Sequence, residues 1–279
     1  MKQYPSIPTV DAAPESLLER GHLWIQEKID GAGVRFQLRD SGMIRLGDRE
    51  RVYKADDVPP SYHHLLRHLR ENLDREALHA AVEDVESVVF FGDATVKRTI
   101  DYDWERTPSF LGYDVWFADE ERFLPPDAVE KVYASLGLRS VNTFQKEVRA
   151  VDFDPQSYEI PDSNWYDGPA AGVVLRNKTG DRAQLSRNFE TEDGPSPARQ
   201  PADVLADELG TDRRFRRVAT RLEARDRPVT VDSLYDRVFE DIAREENDRL
   251  FQGRGYFDVG AFRSELAALT SEFVADRPK

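Results

Sequence analysis

The sequence predicts an α+β protein, with antiparallel sheets and flanking helices over residues 1–195 and a small helical domain over residues 203–279. Three observations lead there. Short apolar runs bounded by turn dipeptides recur through the first two thirds of the chain. Stretches with apolar residues three and four apart are interleaved with them. After the Gly- and Pro-containing stretch at 191–202, TEDGPSPARQPA, only the helical spacing continues, so that stretch reads as a linker.

The elements follow in order. Residues 22–53 read as strands: His22 to Leu38 alternates around a turn at Lys28, and Met43 to Tyr53 follows the turn Asp40-Ser41-Gly42. Arg49 and Arg51 are placed on this later strand. Residues 61–83 read as one helical stretch with Tyr62, Leu65, Leu66, Leu69 and Leu73 on one face. Ser87 to Phe91 is a short buried strand ending at Gly92-Asp93, and Pro108 to Phe117 is another. Pro125-Pro126-Asp127 opens a helix that stops at Gly137. Thr143 to Val151 is strand-like. Ala171 to Arg176 and Arg182 to Arg187 form a hairpin around Asn177 to Asp181. Beyond the linker, four apolar stripes predict four helices: Val204, Leu205 and Leu209; Phe215, Val218 and Leu222; Leu234, Val238 and Ile242; and Phe262, Leu266, Leu269 and Phe273. Thr230 or Asp232 is the expected cap of the third.

Composition narrows the function classes. A chain of 279 residues with 39% hydrophobic residues buries a sizeable core. No apolar run reaches the roughly 18 residues of a membrane span, and the N-terminus lacks the apolar stretch of a signal peptide. Without cysteine there is neither a disulfide framework nor a thiolate metal site. A cytoplasmic monomer is the expectation. The net charge is −14, and arginine outnumbers lysine 31 to 8. That balance resembles proteins of salt-loving organisms, whose acidic surfaces stay soluble when salt screens charge. It also hides any basic footprint for nucleic acid in the average. His63, His64 and His68 read as a solvated helix face rather than a metal site, because no cysteine or adjacent acid completes the ligand set.

Lys28-Ile29-Asp30-Gly31 carries the strongest chemical signal. Set between two apolar runs, it offers an amine to an electrophilic phosphate, although a strand ending in an Asp-Gly turn with a solvated lysine accounts for the same residues. Four later segments suit the first alternative. Arg49 and Arg51 offer guanidinium groups for phosphate or ribose. Phe90-Phe91-Gly92-Asp93 ends a buried strand on a carboxylate. Phe110-Leu111-Gly112-Tyr113-Asp114 pairs an aromatic ring with an acid. Ala171-Gly172-Val173-Val174-Leu175-Arg176 is a buried strand with a close-approach glycine and a terminal arginine. For Phe91, Tyr113, Asp93 and Arg176 the plainer roles are core packing, turn capping or a solvated strand end.

Taken together and in this order, the segments resemble the covalent nucleotidyltransferases: ATP-dependent RNA ligases, DNA ligases and capping enzymes. The resemblance covers about residues 20–190 and implies an ATP-grasp-like adenylation domain. It implies that Lys28 attacks the α-phosphate of ATP and carries AMP. Glu27, Asp30, Gly31, Arg49, Asp93, Tyr113, Gly172, Val173, Arg176 and Gln184 are implied to contact the nucleotide, with Tyr113 stacking on adenine and Asp93 also holding Mg²⁺ or Mn²⁺. The helical appendage, Thr211 to Glu246 in particular, looks more like RNA ligases of the second bacteriophage type and their archaeal relatives. RNA ends are then the implied partner.

The chain departs from the family pattern in three places. The fourth motif's glutamate is Ala171. The fifth motif's Lys-x-Lys is Gln184-Leu185-Ser186. The third motif's glutamate is Asp93. Arg182, Arg187 and Lys178 are the candidates for the missing charge, although guanidinium and ammonium groups are not equivalent. Two further readings stay open on this account: a fold that binds RNA ends or ATP without ligation, and transfer to a protein or small molecule.

Overall fold

The computed structural model describes residues 1–187, 200–252 and 257–277. The chain divides into two compact units, Met1–Glu190 and Thr191–Lys279. Residues 191–199 of the linker stretch lie outside the described residues, as does the expected domain end at 195.

The first unit holds two antiparallel sheets. Its strands are β1 (His22–Glu27), β2 (Ala32–Leu38), β3 (Ile44–Asp48), β4 (Val88–Ala94), β5 (Phe110–Phe117), β6 (Arg122–Phe123), β7 (Thr143–Arg149), β8 (Gly172–Arg176) and β9 (Arg182–Ser186). Its helices are α1 (Ser16–Glu19), α2 (His63–Asn72), α3 (Arg75–Ala81) and α4 (Pro126–Ser135). One sheet runs β7-β1-β8-β9 and the other β3-β2-β4-β5-β6.

Each sheet places alternate residues on opposite faces. In the five-stranded sheet, Val34, Phe36, Phe90, Phe110 and Val115 pack against Leu65, Leu69, Val129 and Tyr133 of the helices. In the four-stranded sheet, Leu23, Ile25, Val173, Leu175 and Ala183 share an apolar cluster with Leu17 and Phe153. A third cluster joins Leu111 of β5 to Ile29, Ile100, Tyr102, Val141, Trp165 and Ala171, which lie in connections between strands. The Lys28 turn therefore stands on apolar support.

The stretch 61–83 is broken into two helices rather than one. α2 ends at Asn72 with Leu73 as its C-cap, and Asp74 starts α3, its carboxylate accepting the Ala77 N–H at 2.8 Å. His64 also departs from the solvated-face reading, since it turns inward on α2 and is buried. Arg49 lies just past β3 rather than on it, in a turn where the Asp48 carboxylate accepts the Glu50 and Arg51 N–H groups.

The second unit contains α5 (Ala202–Leu209), α6 (Asp212–Glu223), α7 (Val231–Glu245) and α8 (Val259–Ala275). Leu205, Phe215, Val218, Leu234, Val238, Ile242, Phe262 and Leu266 form its core. Val204 is exposed and does not join them. Thr230 caps α7 in a reciprocal box with Ser233. Arg214 and Arg217 of α6 bind Asp241 and Glu245 of α7, a largely buried charge cluster between the two helices. Among the described residues no helix is long and apolar enough to cross a membrane.

Gly112 of β5 illustrates how tightly α4 meets the sheet. A Cβ there would lie 2.2 Å from the ring of Tyr133, whose hydroxyl donates to the carbonyls of Phe91 and Asp114. Gly112→Ala is expected to cost about 3 kcal/mol, the upper end of overpacking penalties. Chemical denaturation of the whole chain, read by far-UV circular dichroism, checks this.

Candidate functional site

Lys28 follows the last residue of β1. Its N–H donates to the Gly172 carbonyl of β8 at 3.0 Å, and the Glu27 N–H donates to the Asn142 carbonyl at 2.8 Å. The following turn is bound on three sides. The Asp30 N–H donates to the Tyr102 hydroxyl, and the Asp30 carboxylate accepts the N–H groups of Thr99 and Ile100 at 2.7 and 2.8 Å. The Arg98 guanidinium donates to the Gly31 carbonyl at 3.1 Å. Gly31 is needed for close approach, because a Cβ would sit 2.7 Å from the Ala94 carbonyl. Asp30 thus holds the lysine turn through one carboxylate oxygen and also lines the cavity described next.

Around this turn lies a cavity of about 580 Å³, within the usual size of small-molecule sites. Lys28, Asp30, Gly31, Arg49, Asp93, Arg98, Tyr113, Val174 and Arg187 are among its lining residues. The Lys28 ammonium donates to the Ser186 hydroxyl at 2.9 Å. Burial pushes the Lys28 pKa below the ordinary lysine value, and Arg49 and Arg98 push the same way, while Asp93 and Asp30 oppose the shift. Burial also pushes the Asp93 carboxyl up to about 7, against the pull of Arg49, Lys28 and Arg98. An amine with reduced proton affinity therefore stands among guanidinium groups in a partly enclosed space.

The other expected contacts fall unevenly. Tyr113 lines the cavity, and burial holds its phenol well above the usual range. Glu27 also lines it, yet its carboxylate is bound by the Ser163 hydroxyl at 2.5 Å and the Asn164 N–H at 3.3 Å. Burial raises the Glu27 pKa, and these bonds limit the rise. Gly172 contributes its carbonyl to Lys28 and is not among the lining residues. Val173 is a correction: it is fully buried in the opposite core, and strand alternation brings Val174 to the cavity instead. Arg176 reaches the cavity wall, but its guanidinium is taken up by Asp114 at 3.0 Å and the Tyr113 carbonyl. Gln184 lines the cavity while its amide donates to the Ile7 carbonyl at 2.8 Å.

Of the three candidates for the missing charge, only Arg187 lines the cavity. Arg182 is buried against Asp114 at 3.1 Å, and Lys178 pairs with Glu147 at 2.7 Å.

Sequence reasoning missed Gln26, Arg98 and the segment from Tyr4 to Ile7. Gln26 lines the cavity and is 2% exposed, and its amide nitrogen has no hydrogen-bond partner among the described residues. It is an unanswered donor, legible in principle because it precedes Lys28 by two residues in a strand. Arg98 follows the Asp93 strand in the basic pair Lys97-Arg98. Tyr4, Pro5, Ser6 and Ile7 carry no local signal and reach the cavity only through long-range packing.

A lysine of reduced basicity, arginines and an aromatic ring thus line one cavity in the unit that holds the two antiparallel sheets. The chain belongs to the RNA ligase family, whose model matches residues 21–189. Among solved structures it is similar to "Archaeal ATP-dependent RNA ligase - form 1", at 15% identity and a TM-score of 0.47, covering 99% of this chain and 66% of that one. It is also similar to Naegleria gruberi RNA ligase with PPi, at 14% identity and a TM-score of 0.50, covering 67% of this chain and 56% of that one. A mutant of the same Naegleria enzyme with ATP and Mn gives the same identity, coverage and score. The chain thus spans less than two thirds of the length of these structures. No curated protein sequence matches it.

Asp114 is fully buried and pairs with both Arg176 and Arg182. Asp114→Ala would leave two buried cations without their carboxylate, with an expected cost of about 3–5 kcal/mol. Urea denaturation of wild type and variant at neutral pH measures it.

Proposed function

We propose that the chain is an ATP-dependent RNA ligase that carries AMP on Lys28. The observation that carries this reading is the partly buried Lys28 amine, bonded to Ser186 and facing Asp93, Arg49 and Arg98 in one cavity. Family membership supports it.

In the first step the neutral Lys28 Nζ attacks the α-phosphorus of ATP. An N–P bond forms, the P–O bond to the β-phosphate breaks, and pyrophosphate leaves. Burial and the flanking arginines favour the neutral amine that this step needs. Arg49, Arg98 and Arg187 line the same cavity and would meet phosphate oxygens. Tyr113 and Val174 line the cavity and would stack on a base, and the Gln26 amide would donate to its edge. AMP then passes to an RNA 5′-phosphate, and a 3′-hydroxyl displaces it to form the new phosphodiester.

The chain's own groups fit a divalent ion only as a shared ligand set. Among the described residues no cluster of three acids or histidines could hold a metal, so Asp93 would contribute beside the triphosphate oxygens, as Mg²⁺ commonly requires. Bound there, Mg²⁺ or Mn²⁺ would offset the triphosphate charge.

A second reading has its own observations. Ala171 replaces the expected glutamate, and the Gln184 amide is engaged by Ile7. These favour a fold that holds ATP or RNA ends without ligation.

Incubation with α-labelled ATP and Mg²⁺, in low and in molar KCl, separates the two. Wild type is expected to acquire covalent label, whereas Lys28→Ala acquires none. Absence of label from folded wild type in both salts would favour the binding protein. Ligation of single-stranded RNA, nicked duplex and DNA then assigns the substrate. The rate of adduct formation is expected to rise with pH, because deprotonation creates the nucleophile. It should level off below the roughly 10.4 of an ordinary lysine. Single-turnover rates across pH 6 to 10 check the sign.

A further inference from the structure

The family match begins at residue 21, yet one wall of the cavity is built from residues 4–7. This segment is locked at both ends. At its C-terminal end, the Gln184 amide donates to the Ile7 carbonyl and the Gln184 N–H donates to the Pro8 carbonyl, both at 2.8 Å. The side chain standing where a phosphate-gripping lysine was expected is therefore a fastening for the segment.

At the other end, Tyr4 enters an aromatic box. Its ring lies 4.9 Å edge-on from Tyr113, 5.0 Å from Phe91 and 5.5 Å from Phe123. Its hydroxyl donates to the buried Asp114 carboxylate at 2.9 Å, and the Arg182 guanidinium stands 5.0 Å over its ring. The position of Tyr4 is thus set by a hydrogen bond, a cation and three rings. Tyr113, by contrast, has Tyr4 as its ring partner, while its own backbone carbonyl is held by Arg176.

We propose that Tyr4 is a positioning residue for nucleotide recognition. It fixes the Tyr113 ring at the base end of the cavity, so that segment 4–7 completes a pocket that the family-matched region alone leaves open. The inference rests on the ATP reading above and adds a base-specific role for residues outside the matched region. Tyr4 acts through Tyr113, so its loss should weaken the hold on the base and spare the hold on phosphate. The partners of Tyr4 are the Asp114 carboxylate, the Arg182 guanidinium and the rings of Phe91, Tyr113 and Phe123.

The test is calorimetric binding of ATP and of inorganic tripolyphosphate to full-length wild type, Tyr4→Ala and Tyr4→Phe, with melting temperatures measured alongside. Tyr4→Ala is expected to weaken ATP binding about tenfold, the order that one lost aromatic pair produces. Tripolyphosphate binding should stay within about twofold, a split that general damage to the site would not give. Tyr4→Phe keeps the ring and is expected to restore most of the ATP affinity. Should Tyr4→Ala lose its fold, Tyr4→Leu replaces it in the same comparison, since it fills much of the volume without a ring. Equal losses for both ligands, no loss for either, or Tyr4→Phe as weak as Tyr4→Ala would overturn the inference. Wild type that binds no ATP would overturn the ATP reading together with it, whereas wild type that binds ATP no better than Tyr4→Ala overturns this inference alone.

Discussion

The buried carboxylate of Asp114 is the interaction on which the site depends. It lies on β5 of the five-stranded sheet and binds Arg176 of β8 and Arg182 of β9, both in the other sheet. Tyr4 adds a third partner from the chain's first residues. An isolated carboxylate here would be strongly disfavoured by desolvation, and so would either guanidinium. Together they make the two sheets and the N-terminal segment mutually dependent. The residue before it, Tyr113, is the extra residue of a β-bulge between Gly112 and Asp114, and it lines the cavity beside Tyr4. Pinning Asp114 therefore also places the aromatic wall.

The electrostatics of the cavity differ from those of the whole chain. The net charge of −14 describes a surface, whereas Lys28 has Arg49 and Arg98 close enough to act on its titration. A partly enclosed site strengthens such local interactions relative to bulk water. The departures from the family pattern look different in this light. Arg187 brings a guanidinium to the cavity, Ser186 holds the Lys28 amine with a neutral hydroxyl, and Gln184 fastens residues 7 and 8. Arg187 thus adds a cation to the cavity beside Arg49 and Arg98.

Most elements were legible because their causes are local. Turn residues bounded β1 to β3 and the β8–β9 hairpin, and apolar spacing located α5 to α8 of the second unit. The misplaced features have identifiable reasons. A continuous apolar stripe concealed the break at Asp74, where a side-chain cap overrides periodicity. A run of apolar residues in β8 could not say which of Val173 and Val174 faces the cavity, since both are hydrophobic and only sheet pairing sets the side. Arg176 was visible as a charged strand end, but its buried partner Asp114 lies 62 residues earlier in the chain.

By itself the sequence determined the fold class, the helical second unit and the lysine turn with its ordered companions, because these depend on neighbours within a few residues. Only the tertiary structure decided how each side chain is used. It used Asp30 and Gln184 as fastenings, brought Arg98 and Gln26 to the cavity, and carried Tyr4 against Tyr113. Those roles arise from contacts between residues far apart in the chain, 69 residues for Asp30 with Thr99 and 177 for Gln184 with Ile7, and such contacts leave no periodic trace in the sequence.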